Sequence, residues 1–177
     1  MNKPRILIVE DEAIIAMEIE SQLLSLGYEV TSIVDTGEKA INKAEEDKPV
    51  LILMDIRIKS EMDGIEAAEE IRNRFGIPVI FSTAYLDQER IERAKITMPF
   101  GYVLKPIQER DLKVTIEMAL YVAKVDSERK RVEDLLRIQR DLGVSLGKSM
   151  DFQEMLRLCM KAALEASNMD CGGIYII

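Results

Sequence analysis

Histidine is missing from all 177 residues. That excludes histidine general bases, imidazole metal sites and a phosphohistidine formed within this stretch of chain. Cysteine is nearly absent. Cys159 and Cys171 are too few for a disulfide framework or a four-cysteine zinc site. No apolar run approaches the roughly 18 residues that a membrane helix needs, and Met1-Asn2-Lys3-Pro4 leads straight into a strand-like run with no secretory signal. Cytoplasmic residence without membrane insertion is therefore expected. Positive charge is also in short supply, with 24 Lys and Arg against 32 Asp and Glu and a net charge of −8. Phosphate contacts need a basic surface, so nucleic acid is not an expected partner.

What is present is ordinary for a globular protein, with 47% hydrophobic and 32% charged residues. The length allows one full domain with a remainder, or two small domains. The excess acid is concentrated in the first part of the chain. Residues 1–125 carry 16 Lys and Arg against 23 Asp and Glu, whereas residues 126–177 carry 8 against 9.

Short apolar runs alternate with amphipathic stretches over the first two-thirds. Continuous runs occupy Arg5–Val9 and residues 50–54, 78–81 and 101–104, with a more mixed one at Glu29–Val34. Runs that are apolar on both faces predict strands covered on both sides, as in a parallel sheet between helices. Helical patterns fall between them. Ile14, Met17, Leu23 and Leu24 precede Gly27; Ile41 and Ala44 follow Gly37; Ile65, Ala68 and Ile71 follow Asp63-Gly64; Ile91 and Ala94 follow Asp87; Leu112, Ile116 and Ala119 follow Pro106. Five strands alternating with five helices predict an α/β fold, a doubly wound five-stranded parallel sheet of flavodoxin-like type with a C-terminal helical extension. Ligands of such sheets sit at the carboxyl ends of the strands.

Three segments are expected: 1–125 as the sandwich, 126–148 as a coiled-coil-like linker helix, and 149–177 as the truncated start of a further domain. A heptad reading puts Met118, Tyr121, Val125, Glu128, Val132, Leu135, Gln139, Leu142 and Leu146 at a and d positions. Most are apolar, which predicts a homodimer through this helix. Six polar residues from Asp126 to Arg131 interrupt the seam. After a helical face at Phe152, Met155, Leu156 and Cys159, the chain ends on Ile174-Tyr-Ile-Ile177, an apolar strand with no partner in its own segment. The chain is therefore expected to be a piece of a longer protein.

The chemistry lies at the strand ends. Glu10, Asp11 and Glu12 follow the first run, Asp55 the third, Thr83 the fourth and Lys105 the fifth. Parallel strands bring these ends to one edge, so Glu10, Asp11, Asp55, Thr83 and Lys105 should converge. Carboxylates crowded in one pocket repel unless a cation intervenes. Mg²⁺, a hard ion that keeps some of its waters, suits such oxygens and also bridges phosphoryl groups, whose remaining oxygens a hydroxyl and an ammonium can take. The pattern points to phosphoryl chemistry.

The residues Ile-Leu-Ile-Val-Glu10-Asp11-Glu12, Leu-Ile-Leu-Met-Asp55-Ile, Met62-Asp63-Gly64-Ile65, Pro78-Val-Ile-Phe-Ser-Thr83-Ala84 and Gly101-Tyr102-Val-Leu-Lys105-Pro106 resemble, in order and spacing, the receiver domain of two-component response regulators over residues 3–125. The resemblance implies that Asp55 accepts a phosphoryl group from the phosphohistidine of a partner histidine kinase or phosphotransfer protein. It implies that Glu10, Asp11, Asp55 and the backbone carbonyl of Arg57 hold Mg²⁺. Thr83 and Lys105 would bind phosphoryl oxygens, Thr83 and Tyr102 would form the switch, and Lys105-Pro106 would be a cis peptide. Glu10 departs from the aspartate most often found there, although its longer side chain still offers an oxygen. From about Asp141, the stretch Leu142 to Ser149, Asp151-Phe-Gln-Glu-Met-Leu and Gly172-Gly-Ile-Tyr resembles the beginning of a GAF sensory domain.

Other readings fit worse. Gly143-Val-Ser-Leu-Gly147-Lys148-Ser149 has three residues between its glycines where a P-loop needs four, and it follows a helix rather than a strand. A haloacid-dehalogenase-like phosphatase needs a general acid two residues after its aspartate, where this chain has Arg57. A flavodoxin-like FMN site would have its phosphate repelled by Glu10-Asp11-Glu12. The expected function is thus a phospho-accepting regulatory module, itself not an enzyme, that switches a C-terminal output in a protein whose remainder could be a histidine kinase. The competing expectation is a passive docking module joined to a GAF-type small-ligand sensor.

Overall fold

The computed structural model describes residues 3–84, 99–149, 156–157 and 160–161, without the side chains of 142–149. Five strands lie among the described residues: β1 (Arg5–Val9), β2 (Glu29–Val34), β3 (Leu51–Asp55), β4 (Val79–Thr83) and β5 (Gly101–Leu104). The helices are α1 (Ala13–Ser25), α2 (Gly37–Asp47), α3 (Gly64–Phe75) and α4 (Glu109–Ser149). The helix predicted around Ile91 and Ala94 lies outside the described residues, as do the segment at Phe152 and the predicted terminal strand. All pairings are parallel, in the order β2-β1-β3-β4-β5, which is the predicted doubly wound sheet.

The uninterrupted apolar runs reflect two covered faces. Alternate residues of a strand point to opposite sides. On one side Leu7, Val9, Ile52, Met54 and Phe81 pack with Ala40, Ile41, Ala68 and Ile71 of α2 and α3. On the other, Ile6, Ile8, Leu51, Leu53, Ile80 and Val103 pack with Ile19 and Leu23 of α1 and with Leu112, Ile116 and Ala119 of α4. The sheet therefore belongs to two cores, and β3 and β4 carry no polar residue until their carboxyl ends.

Helix ends are set by local chemistry. α1 stops at Ser25, and Gly27 then takes a φ of +89° to turn the chain into β2. At the start of α3, Asp63 Oδ1 accepts the N–H groups of Ile65 and Glu66 at 3.0 and 2.9 Å, while the Glu66 carboxylate accepts the Asp63 N–H at 3.0 Å. This reciprocal capping box satisfies orphan donors at the helix start. Asp63→Ala is expected to cost about 1 kcal/mol in urea unfolding; an unchanged midpoint would show that the box contributes nothing.

The chain divides into two compact units, Met1–Ser127 and Glu128–Ile177. In the first, α4 turns Leu112, Ile116 and Ala119 into the core and leaves Val114, Met118, Tyr121 and Val125 exposed. In the second, Val132, Leu135, Leu136 and Ile138 are exposed, and Arg129–Glu133 and Arg137–Asp141 ion pairs run along the helix at i,i+4 spacing. Among the described residues no helix is long and apolar enough to cross a membrane.

Candidate functional site

The carboxyl ends of β1, β3, β4 and β5 form one edge of the sheet. Asp55 and Thr83 are the last residues of their strands rather than the first residues beyond them. The ladder persists through Asp55 and Ser82, which pair across β3 and β4. The apolar run ends one residue earlier because the Asp55 side chain belongs to the pocket.

Glu10, Asp11 and Asp55 each offer a carboxylate oxygen, and the three oxygens lie within 4.8 Å of one another. Glu10 and Asp55 are buried. Lys105 reaches into the group from the end of β5, its Nζ donating to Glu10 Oε2 at 2.6 Å and to Asp55 Oδ2 at 2.5 Å. Its position follows from the ladder, since the Lys105 N–H donates to the Thr83 carbonyl at 2.9 Å. The other Asp55 oxygen, Oδ1, accepts the Arg57 N–H at 2.9 Å, which fixes the carboxylate plane. The Lys105-Pro106 peptide is cis.

The electrostatics follow from this crowding. Burial raises the Glu10 carboxyl above its ordinary value; its hydrogen bond to Lys105 works against the shift, and the neighbouring charge of Asp55 adds to it. Burial also opposes charge on Lys105, but the hydrogen bonds and charges of Asp55 and Glu10 outweigh it and hold the ammonium above its usual range. In metal-free protein Lys105 is thus the internal cation of two buried carboxylates. Asp11 Oδ2 differs. It is buried and receives no hydrogen bond, and the Lys59 ammonium stands 3.3 Å away.

These donors fit a divalent cation. Three hard carboxylate oxygens converge on a half-open pocket, one of them buried without a hydrogen bond, as Mg²⁺ coordination with retained waters requires. A cavity of about 460 Å³ beside Asp55 is lined by Glu12, by Ile15 and Glu18 of α1, by Arg57 and Ala84, and by Lys105, leaving room for a donor group. Thr83 is buried at the end of β4. Tyr102 stands opposite Phe81 across the β4–β5 ladder, with ring centroids 5.9 Å apart, so its ring packs on the core cluster of α2 and α3.

Glu10, Asp11 and Asp55 are in mutual reach, Lys105 bridges Glu10 and Asp55, Thr83 is tied to Lys105 through the backbone, and Tyr102 lies two register steps back from the Thr83–Leu104 end of the β4–β5 ladder. Three features were missed in the sequence. Lys59 approaches Asp11; a lysine four residues after the phospho-acceptor candidate was the available signal. Gln22 Nε2 donates to the Ile107 carbonyl at 3.0 Å and steadies the loop that carries Lys105, a contact 85 residues apart with no local signature. Gly64 sits so close to β3 that an added Cβ would lie 2.0 Å from the Asp55 carbonyl oxygen.

A five-stranded parallel sheet with an acidic, lysine-bridged pocket at its carboxyl edge defines a class of phosphoryl-handling signalling domain. The family model "Response regulator receiver domain" matches residues 6–117, and the chain belongs to that family. It is 37% identical over 116 residues to the transcriptional regulatory protein PdtaR of Mycobacterium tuberculosis, covering 66% of this chain and 56% of that protein. The signal receiver domain of a modulated diguanylate cyclase from Desulfovibrio desulfuricans superposes with a TM-score of 0.68 at 38% identity, over 71% of this chain and 99% of that one. The receiver domain of a Pseudomonas aeruginosa sensor histidine kinase, solved with magnesium coordinated in its active-site cleft, gives a TM-score of 0.61 at 33% identity, over 67% of this chain and 98% of that one. The chain spans about half the length of the curated relatives it matches.

Proposed function

We propose that the protein is the phospho-acceptor module of a two-component phosphorelay and that Asp55 is the residue modified. The observation that supports this most is the Asp55 carboxylate itself, oriented through Oδ1 by the Arg57 N–H and bridged through Oδ2 to Lys105 at the cavity mouth. An Asp55 oxygen attacks the phosphorus of a phosphohistidine on a partner kinase or phosphotransfer protein. The new O–P bond forms as the N–P bond breaks, and the imidazole leaves with the electron pair. Glu10, Asp11, Asp55 and the Arg57 carbonyl would hold Mg²⁺, which when bound offsets the repulsion between Asp55 and the incoming anion. Lys105 would transfer one of its hydrogen bonds to a phosphoryl oxygen, and the Thr83 hydroxyl would take another.

The switch follows from the same contacts. Drawing Thr83 and Lys105 toward a phosphoryl group changes the end of the β4–β5 ladder, where Tyr102 packs on Phe81. The population shifts between two arrangements of that face. In this reading the chain is a regulatory domain of the cytoplasm rather than an enzyme and does not itself bind nucleic acid. Its domains are 1–125, the linker 126–148 and a GAF-like beginning at 149–177, within a longer protein. The test is phosphoryl uptake from acetyl phosphate with Mg²⁺, read by intact mass. The wild type should gain one phosphoryl group, and a protein that never gains one overturns the proposal.

The helical extension would carry the output as a homodimer. Val132 and Leu135 occupy a and d positions and are exposed, while the Arg129–Glu133 and Arg137–Asp141 ion pairs join residues outside those positions. Leu135→Asp places a charge in the seam and is expected to convert a dimer into a monomer by light scattering. A monomeric wild type ends the dimer reading.

A further inference from the structure

We propose that Lys59 is an internal counter-ion that a divalent cation must displace from Asp11, so that this lysine sets the metal affinity of the pocket. The proposal rests on the reading that Glu10, Asp11 and Asp55 hold Mg²⁺. Two ammonium groups reach the three carboxylates, and they are built differently. Lys105 is only 10% exposed and donates hydrogen bonds to both Glu10 and Asp55. Lys59 is 84% exposed, and its Nζ stands 3.3 Å from Asp11 Oδ2, with the Asp11 side chain itself only 9% exposed. That oxygen accepts no hydrogen bond. The contact is therefore a Coulomb attraction at the pocket rim, with a long side chain ordered to make it, the arrangement that contributes least to stability and yields most readily.

The backbone keeps Lys59 at this rim. The next residue, Ser60, donates its hydroxyl to the Met62 carbonyl and lies 3.5 Å from the donating N–H of Gly37 at the start of α2. The outer pocket is lined by the charged residues Asp11, Glu12, Arg57, Lys59 and Asp63 over the apolar Ile56 and Ile58. A cation bound at Asp11 ends beside this ammonium. Like charges at such separation oppose each other strongly at low ionic strength and weakly once salt screens them. Lys59 thus weakens metal binding, and loading the metal releases its side chain to the pocket mouth, where an incoming phosphodonor would meet a free ammonium.

Calorimetric Mg²⁺ titration of the 177-residue chain tests this, with no dependence on phosphorylation. Lys59→Gln is expected to bind Mg²⁺ about three- to tenfold more tightly than wild type at low salt, with the gap narrowing at high salt. Lys43→Gln removes the same charge from the Lys43–Glu46 pair on α2 and should leave the affinity unchanged. Unaltered or weaker binding by Lys59→Gln overturns the proposal, as does an equal gain from Lys43→Gln. Asp11→Ala keeps the two failures apart. If it binds Mg²⁺ as wild type does, the metal reading itself falls; if it loses binding while Lys59→Gln changes nothing, only the role of Lys59 falls.

Discussion

Asp55→Ala incubated with acetyl phosphate and Mg²⁺ is expected to gain no phosphoryl group under conditions in which the wild type gains one. The expected loss is complete because, of the three pocket carboxylates, Asp55 is the one that lines the cavity a donor group would enter. Glu10 also accepts hydrogen bonds from Lys105 and from the Glu12 N–H, but its side chain is fully buried. Asp11 Oδ2 faces Lys59 at the rim. Asp55 holds its following backbone N–H more closely, at 2.9 Å against 3.4 Å on Glu10, and of these two lysine-bridged carboxylates Asp55 is the one that lines the cavity. The chain also has no histidine to accept the group in its place. The fold should survive, since removing Asp55 takes one negative charge out of a crowded acidic group, and buried like charges oppose one another. The variant should therefore melt no lower than wild type without metal. A variant phosphorylated as fully as wild type would move the reactive group elsewhere, and one that fails to fold would make Asp55 structural.

Gly64→Ala should cause the largest loss of stability of any single methyl group added near the pocket. A Cβ at this position would lie 2.0 Å from the Asp55 carbonyl oxygen, 3.0 Å from the Asp55 carbonyl carbon and 3.2 Å from Ile56 Cα. All three are backbone atoms, so no side chain can swing aside. Gly101 offers the contrast, because its added Cβ would meet side-chain atoms, the methyl group of Thr115 at 2.5 Å and Ile80 Cγ1 at 4.0 Å. At Gly64 either α3 must back away from the sheet, loosening Ile65, Ala68 and Ile71 in the core, or the Asp55–Arg57 turn must move and lose the bond from the Arg57 N–H to Asp55 Oδ1. Overpacking against unyielding backbone typically costs up to about 3 kcal/mol and sometimes more. The expected result is a urea midpoint lowered by about that amount, with slower phosphoryl uptake in the protein that remains folded. A variant within about 0.5 kcal/mol of wild type would show that the helix start has slack here.

The strands could be read from the chain with small errors at their ends. Arg5–Val9 and Glu29–Val34 are runs whose composition alone marks them, and they appear with those bounds. The runs at 50–54 and 78–81 appear as Leu51–Asp55 and Val79–Thr83. The shift has one cause. Pattern reading stops at the first polar side chain, whereas the hydrogen-bond ladder continues while the backbone stays extended, so Asp55 and Thr83 remain in the sheet. The last helix is expected to run past the sandwich into the heptad stretch, and Glu109–Ser149 is a single element, because the polar stretch from Asp126 to Arg131 interrupts the apolar seam without introducing a glycine or proline that would end a helix.

By itself the amino-acid order determined the architecture and the sheet edge on which the acids, the threonine and the lysine gather. Two-sided apolar runs separated by helical periods can bury their surfaces in few ways, and parallel strands must place their carboxyl ends together. Only the tertiary structure decided how charge is shared within that edge. Lys105 is committed to Glu10 and Asp55, Asp11 keeps a buried oxygen without a hydrogen bond, Lys59 stands over it, and the carbonyl of Asp55 leaves Gly64 no room for a side chain. Those relations depend on distances of a few ångströms between residues far apart in the chain. Periodicity and residue type carry no record of such distances, because they are set only when two cores close on opposite faces of one sheet.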